Sequence, residues 1–156
     1  MRSFLSIIRF ILKIISRNLQ FPKYYCGKTV QMEDGLKLKI FRHMKDISKN
    51  PAENGSILII RFQFNKFSHS TNIKASKIPI PLIGGFKGFG DKLWMIDWEN
   101  GYWQGIYQWD NEITIERYKK SFVLNIMNKR AEESSISYNI LPDINFEEYI
   151  NKLVID

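Results

Sequence analysis

Hydrophobic residues recur at two different spacings along the chain. Over residues 2–19, isoleucine, leucine and phenylalanine fall on one side of a helix, and basic residues fall on the other. After residue 28, shorter apolar runs alternate with polar positions and are separated by glycine, proline and asparagine. The pattern predicts a basic amphipathic helix with a linker over residues 1–28, followed by an α+β domain over residues 29–156.

The second part of the chain predicts a definite order of strands and helices. The predicted elements are a hairpin over 29–45, a strand over 56–65, a short helix within 68–77, a hairpin over 91–110, a helix over 111–130, a strand over 135–141 that Pro142 stops, and a helix from Asn145. From residue 56 this order is βαββαβ, with few helical residues in the first crossover. We therefore expect a ferredoxin-like antiparallel sheet.

The hairpin over residues 91–110 is rich in aromatic residues. Asn100-Gly101 suits the two central positions of a type I′ turn, which would pair Trp98 with Trp103 and Trp94 with Tyr107. Because side chains alternate along a strand, one face then carries the aromatic residues Trp94, Trp98, Trp103, Tyr107 and Trp109, with Gly105 among them. The other face is mainly aliphatic. We expect the aliphatic face to pack on the helices, which leaves the aromatic face for a ligand or a partner chain.

Composition and charge exclude some kinds of binding site and argue against some kinds of partner. The single cysteine, Cys26, excludes an internal disulfide and a cysteine-based zinc site, and neither Cys26 nor His43 has a context that predicts chemistry. No metal or cofactor is predicted. The net charge is +7, but residues 1–32 hold six of the 23 basic residues and none of the 16 acidic ones. The domain itself is nearly neutral, which argues against nucleic-acid binding.

The N-terminal helix has the composition of a membrane-surface helix. Arg9 and Lys13 interrupt its apolar run, so it fits neither a transmembrane span nor a secretory signal. We predict that Arg2, Arg9, Lys13 and Arg17 contact an anionic membrane surface. The alternative is that the helix packs on its own domain or on a partner subunit. The expected location is cytoplasmic, with peripheral attachment to the inner face of the membrane.

The segment FKGFGDKLWMIDWENGYWQGIYQWDNEITIERYKKS resembles the dimeric α+β barrel (ferredoxin-like) superfamily, and within it small monooxygenases that need no cofactor. Those proteins share a GF…K.W strand, a G.Y.W strand and a helix with an ER/AxxY element. The matching residues here are Gly88-Phe89, Lys92, Trp94, Gly105, Tyr107, Trp109 and Tyr118. The resemblance covers about residues 56–141. It implies a homodimer that pairs sheet to sheet around apolar pockets, and oxidation of an aromatic substrate.

The candidate site residues follow from the aromatic face and the strand before it. The predicted ligand-binding residues are Arg61, Trp94, Trp103, Gly105, Tyr107 and Trp109, with Gly105 leaving a gap for a flat apolar molecule. The alternative is that the rings simply fill a core or an interface without a ligand, as aromatic residues commonly do.

Arg61 and His69 are the catalytic candidates. Arg61 either grips an anionic or carbonyl group of the ligand or pairs with a structural carboxylate such as Asp97. His69 acts as a base or is a solvated loop histidine. The sequence therefore predicts a monooxygenase-like enzyme for a small aromatic ligand. The alternative is a non-catalytic, membrane-surface-associated dimerisation or ligand-binding module.

Overall fold

The computed structural model of the chain describes residues 1–156. Its elements are α1 (Arg2–Ile15), β1 (Leu19–Gln20), β2 (Thr29–Gln31), β3 (Lys37–Asp46), β4 (Gly55–Gln63), α2 (His69–Ala75), α3 (Ile80–Gly84), β5 (Phe89–Ile96), β6 (Tyr102–Trp109), α4 (Glu112–Lys119), α5 (Phe122–Arg130), β7 (Ser137–Ile144) and α6 (Phe146–Leu153). A short 3₁₀ turn at Glu133–Ser135 precedes β7. No helix is long and apolar enough to cross a lipid bilayer.

The strands form one antiparallel sheet in the order β1-β3-β5-β6-β4-β7, with β2 paired to β3. The part β5-β6-β4-β7 is the ferredoxin-like arrangement, with α2 and α3 crossing between β4 and β5 and α4 and α5 crossing between β6 and β7. This confirms the predicted fold class. Strands β1, β2 and β3 extend the sheet beyond the edge of β5.

The aromatic hairpin turns differently from the prediction. Ile96 pairs with Trp103 and Trp94 with Gly105, so the predicted register was wrong by two residues. The reason is a wider loop, in which the Asp97 side chain accepts hydrogen bonds from the backbone N–H groups of Glu99 and Asn100. Because the shift is an even number of residues, every strand side chain keeps its predicted face. Trp98 alone leaves the aromatic face and lies exposed in the loop.

Both faces of the sheet are covered within one chain. The expectation that the helices cover the aliphatic face and leave the aromatic face free was wrong. Helices α3, α4 and α5 pack on the aromatic face, whereas α6 and the segment around β2 pack on the aliphatic face. Each face therefore has its own hydrophobic core. The sheet-to-sheet homodimer stays a prediction, and it would require one of these coverings to move.

Two element boundaries differ from the prediction for local reasons. The expected single helix from Asn111 is two helices, because Ser121 caps a new one by accepting a hydrogen bond from the Leu124 N–H. Strand β7 continues past Pro142, which an edge strand tolerates because its outer N–H groups need no partner. The predicted cap of the last helix is confirmed, since the Asn145 side chain accepts a hydrogen bond from the Glu148 N–H.

Helix α1 lies on the domain with its polar side inward. Ser6 is buried, and Lys13 Nζ pairs with Asp46 at 2.8 Å and donates to the Gly84 carbonyl at 3.0 Å. The backbones approach so closely that a Cβ on Gly85 would overlap the Ser6 carbonyl group. The apolar side of α1 faces outward, and its exposed residues are Phe4, Leu5, Ile7, Ile8, Ile11, Leu12, Ile14 and Ile15. The predicted membrane contact of Lys13 is thus replaced by an internal ion pair.

A candidate ligand-binding cavity on the aromatic face

A cavity of about 500 Å³ lies between the aromatic face of the sheet and the short helices that cover it. Strands β4, β5 and β6 supply one wall, helices α2 and α3 supply a second, and α4 and α5 supply a third. The lining is mostly hydrophobic. Short helices broken at Lys77–Pro79 and at Lys120–Ser121 cannot cover a twisted sheet as evenly as one continuous helix, and the cavity lies where they leave room.

The sheet wall of this cavity carries three of the predicted ring residues. Trp94, Trp103 and Tyr107 line it and are almost fully buried. The indole Nε1–H of Trp103 donates to Nδ1 of His69 at 2.9 Å, which fixes the orientation of both rings. The predicted grouping of these rings on one surface is therefore present, and the surface borders an open volume rather than only packed side chains.

Gly105 does not leave the gap expected from the sequence. A Cβ at this position would lie 2.6 Å from Cε2 of Tyr107, because the tyrosine ring folds back over the glycine. Gly105 thus makes room for Tyr107, and the open volume lies above that ring. The glycine still lines the cavity, and it determines how closely the Tyr107 ring can approach the sheet.

The mouth of the cavity is ringed by exposed apolar side chains. Phe67 is 73% exposed, Ile78 79% and Phe122 61%, and all three line the cavity. Ile126 lines it as well and is 43% exposed. Apolar residues grouped at an opening, rather than scattered singly, mark the entry of an apolar ligand or a hydrophobic contact surface.

Lys92 is the one charged side chain in the sheet wall, and it is only 2% exposed. Its Nζ lies 4.0 Å from the ring centroid of Trp94 and 4.1 Å from that of Tyr107. Burial, with Arg42 nearby, holds the pKa of Lys92 well below its usual value. In the sequence, Lys92 was recognised only as one residue of the motif shared with the α+β barrel proteins. Lys92 lies two residues before Trp94 on β5, and because side chains alternate along a strand, this spacing places it on the aromatic face.

Tyr107 and Tyr118 meet at the back of the cavity. Burial raises the pKa of both hydroxyl groups above the usual value, so both stay protonated at every physiological pH. They offer neutral hydrogen-bond donors and acceptors to a bound molecule. No group of three histidine, cysteine or acidic side chains is placed to hold a metal ion.

Three predicted site residues lie outside this cavity. Arg61 is on the opposite face of the sheet, where it pairs with Asp34 and donates to Gln104 Oε1 at 2.8 Å. Trp109 is fully buried against Phe86, Phe89 and Tyr118 and has no hydrogen-bond partner for its indole N–H.

His69 is the third of these residues. It begins helix α2 rather than lying in a loop, and it reaches the cavity only through Trp103. The structure thus brings together Trp94, Trp103, Gly105 and Tyr107, but not Arg61, His69 or Trp109.

A buried pair on the aliphatic side was missed by the sequence reasoning. His43 Nε2 lies 2.6 Å from Asp91 Oδ1, and both residues are almost inaccessible to solvent. Burial raises the pKa of Asp91, with the histidine acting against that shift. The two residues are 48 positions apart in the chain and meet only because β3 pairs with β5. Neither residue lines the cavity on the aromatic face, which favours a structural role.

No protein-family model matches the sequence, and no curated protein matches it either. Solved structures match its fold. A monooxygenase-like protein from Listeria innocua aligns with a TM-score of 0.54 and 12% identity, over 74% of this chain and 68% of that chain. A ferredoxin-fold protein from Listeria monocytogenes, related to antibiotic biosynthesis monooxygenases, aligns with a TM-score of 0.54 and 12% identity. The alignment covers 88% of this chain and 89% of that chain.

A haem-degrading enzyme from Listeria monocytogenes gives a TM-score of 0.54 and 13% identity, over 86% of this chain and 93% of that chain. Identities this low establish the fold alone. The resemblance inferred from the sequence is confirmed at that level. The chain therefore has the ferredoxin-like fold that occurs in monooxygenase-related proteins.

Proposed function

We propose that the protein binds a small apolar aromatic molecule in the cavity on the aromatic face and acts on it as a cofactor-independent monooxygenase. The observation that carries the proposal is a cavity of about 500 Å³ that is lined by Trp94, Trp103 and Tyr107 and opens through an apolar mouth. Pockets of this size and lining are typical of small-molecule sites. The flat rings of the wall favour a flat ligand.

The fold neighbours support the chemical part of the proposal. One of them is a monooxygenase-like protein, a second is related to antibiotic biosynthesis monooxygenases and a third is a haem-degrading enzyme, which supports an oxidative function. In the proposed reaction the substrate supplies the electrons. One atom of O₂ forms a new C=O bond at a ring CH₂ of a phenolic substrate, the two hydrogens of that carbon are lost, and the other oxygen atom leaves with them as water. The chain contributes a mostly hydrophobic cavity that is also lined by the neutral hydroxyl groups of Tyr107 and Tyr118.

Binding and turnover can be tested separately with anthrone as the probe. Anaerobic titration should quench tryptophan fluorescence through Trp94 and Trp103, and a Trp98→Phe variant should quench equally, because Trp98 is exposed in the loop. Oxygen uptake should then exceed the rate without protein. Absence of quenching would refute the ligand site. Quenching without added oxygen uptake would refute the enzyme and leave the non-catalytic binding module.

A second function is favoured by helix α1, and we propose that this helix holds the protein on an anionic lipid surface. Its apolar side points away from the domain, with Phe4 65% exposed, Leu12 59% and Ile15 73%. A soluble helix normally buries that side. Exposure of a whole apolar side beside basic residues is typical of helices that lie in the lipid headgroup region.

The charges next to α1 match this role. A groove of about 590 Å³ between α1 and helices α3 to α5 is lined by five basic residues and no acidic one: Arg2, Arg9, Lys87, Arg117 and Lys120. Each basic residue near an anionic bilayer contributes about 1 kcal/mol. The predicted membrane contacts Arg2 and Arg9 belong to this groove, and Arg17 is exposed at the end of the helix.

Vesicle sedimentation tests the lipid proposal. Wild-type protein should sediment with phosphatidylglycerol-containing vesicles and much less with phosphatidylcholine vesicles. The double variant Leu12→Ser, Ile15→Ser should stay in solution, whereas Ile113→Ser, which alters an equally exposed isoleucine on α4, should sediment like wild type. Equal sedimentation of the double variant and wild type, or none by wild type, would overturn the proposal.

A further inference from the structure

Lys92 is a buried amino group without an acidic partner. Its side chain is 2% exposed, and its Nζ makes neither a hydrogen bond nor an ion pair with any protein group. Its nearest partners are the π-faces of Trp94 and Tyr107, at 4.0 and 4.1 Å from the ring centroids. Two aromatic faces stabilise an ammonium group better than a neutral amine, but they do not replace the water that burial removes.

The other charged groups around the cavity do not provide the missing anion. Arg42 from β3 approaches the ring of Trp94 and donates to Ser76 Oγ at 2.7 Å, and Arg130 from α5 donates to Asn72 Oδ1 at 2.7 Å. Tyr107 from β6 and Tyr118 from α4 are neutral. No aspartate or glutamate lines the cavity. No acidic side chain therefore balances the basic groups of this cavity, and Lys92 is the one among them that makes no hydrogen bond.

We propose that Lys92 anchors the carboxylate of an aromatic acid whose rings lie between Trp94, Trp103 and the apolar helices. The inference rests on the proposed ligand site and adds the class of compound that the site selects. A carboxylate in a water-poor cavity forms a charge-assisted hydrogen bond with the ammonium group, while the ring system fills the apolar volume. A neutral aromatic of the same shape can fill that volume but leaves the cation unpaired.

Proton uptake on binding is a direct consequence. Burial and the positive charge of Arg42 keep the pKa of free Lys92 low, and a bound carboxylate raises it again. At a pH above the pKa of free Lys92, the protein must therefore take up as much as one proton when the acid binds. Tyr107 and Tyr118, which line the same cavity, remain protonated throughout and take no part in this uptake.

The test compares naphthalene-2-carboxylate with its neutral isostere naphthalene-2-carboxamide by calorimetry in two buffers of different ionisation enthalpy, from pH 6 to 9. For wild type we expect the acid to bind at least about tenfold more tightly than the amide, with net proton uptake that grows with pH. For Lys92→Met we expect the acid to lose this advantage and the proton uptake to vanish, while the amide binds as before. Lys92→Arg, which keeps the charge, should retain a preference for the acid.

The outcomes separate this inference from the proposed function. If both compounds bind wild type equally and without proton uptake, the anchor role of Lys92 is refuted while the aromatic site stands. If neither compound binds, both fail. Proton uptake is read in the wild-type protein, so the inference remains testable even if a variant folds poorly.

Discussion

Asp91 and Lys92 are neighbours on β5, both only 2% exposed, yet they lie on opposite faces of the sheet and differ in their partners. Asp91 meets His43 at 2.6 Å on the aliphatic side. Lys92 meets only two aromatic rings on the cavity side. A buried charge that the protein satisfies itself belongs to the framework, whereas a buried charge that it leaves unsatisfied needs a partner from outside.

The two faces of the sheet also differ in how completely they are packed. The aliphatic face is covered by α6, an amphipathic helix whose buried residues Phe146, Ile150 and Leu153 fill the space above Leu93 and Ile106. The aromatic face is covered by four short helices that leave about 500 Å³ open. One sheet thus carries a filled core on one side and a site on the other. Four changes, from the largest expected effect to the smallest, test this contrast.

Asp91→Ala should have the largest effect on the free energy of unfolding. The change leaves His43 buried without its partner, and breaking such a pair costs about 3–5 kcal/mol. Urea denaturation measures the loss. Asp34→Ala is the matched control, because its partner Arg61 lies near the surface and exposed pairs are worth about 1 kcal/mol or less. Similar losses for the two variants would show that the His43–Asp91 pair has no special structural role.

Gly105→Ala should destabilise the protein by about 1–3 kcal/mol, the usual cost of overpacking. The new methyl group would meet the Tyr107 ring at 2.6 Å, so this ring, which lines the cavity, must shift. We therefore also expect weaker binding of aromatic probes. A variant with wild-type stability and wild-type binding would contradict the position assigned to Tyr107.

Lys92→Met should stabilise the protein, by about 0.5–2 kcal/mol, because it removes a buried charge and keeps the length of the side chain. The gain depends on pH. The folded-state pKa of Lys92 is below its usual value of 10.5, so the unfolded chain binds more protons between the two values and wild-type stability rises with pH there.

The advantage of the methionine variant should therefore be greatest at pH values below the folded-state pKa, and it should shrink as the pH rises from there toward 10.5. Thermal unfolding at a series of pH values measures it. If the variant is less stable than wild type at every pH, Lys92 contributes to the core and the contrast with Asp91 fails.

Ile126→Ala should change stability by about 0.5 kcal/mol or less, because the side chain is 43% exposed at the cavity mouth. Its effect should appear in the affinity for aromatic probes, measured by fluorescence titration. Leu93→Ala on the aliphatic face should do the reverse: it should cost about 2–5 kcal/mol in stability and leave probe affinity unchanged. If the two variants changed stability and probe affinity in the same way, the two faces of the sheet would not have the different roles assigned to them.

The sequence was informative where a short-range rule decides the structure. Alternation along β5 and β6 placed Trp94, Trp103, Tyr107 and Trp109 on one face, and an error of two residues in the turn did not change that result. The order of strands and helices predicted the ferredoxin-like topology for the same reason. Asn145 was found because a capping side chain acts within its own turn.

The sequence did not predict the features that depend on contacts between distant segments of the chain. Which face receives which helices depends on how α6 and the β2 segment fold back, and no local pattern records that. The partner of Arg61 is Asp34, 27 residues away, and the partner of His43 is Asp91. The inward turn of Lys13 on α1 likewise depends on Asp46 from β3.

The most direct test of the aromatic site follows the four indole N–H signals of ¹⁵N-labelled protein during titration with naphthalene-2-carboxamide. Trp94 and Trp103 line the cavity, Trp109 is packed outside it, and Trp98 is exposed in the hairpin loop. We predict saturable shifts of the Trp94 and Trp103 signals, with the other two unchanged. Shifts confined to Trp98 or Trp109, or none at all, would contradict a ligand site on this face.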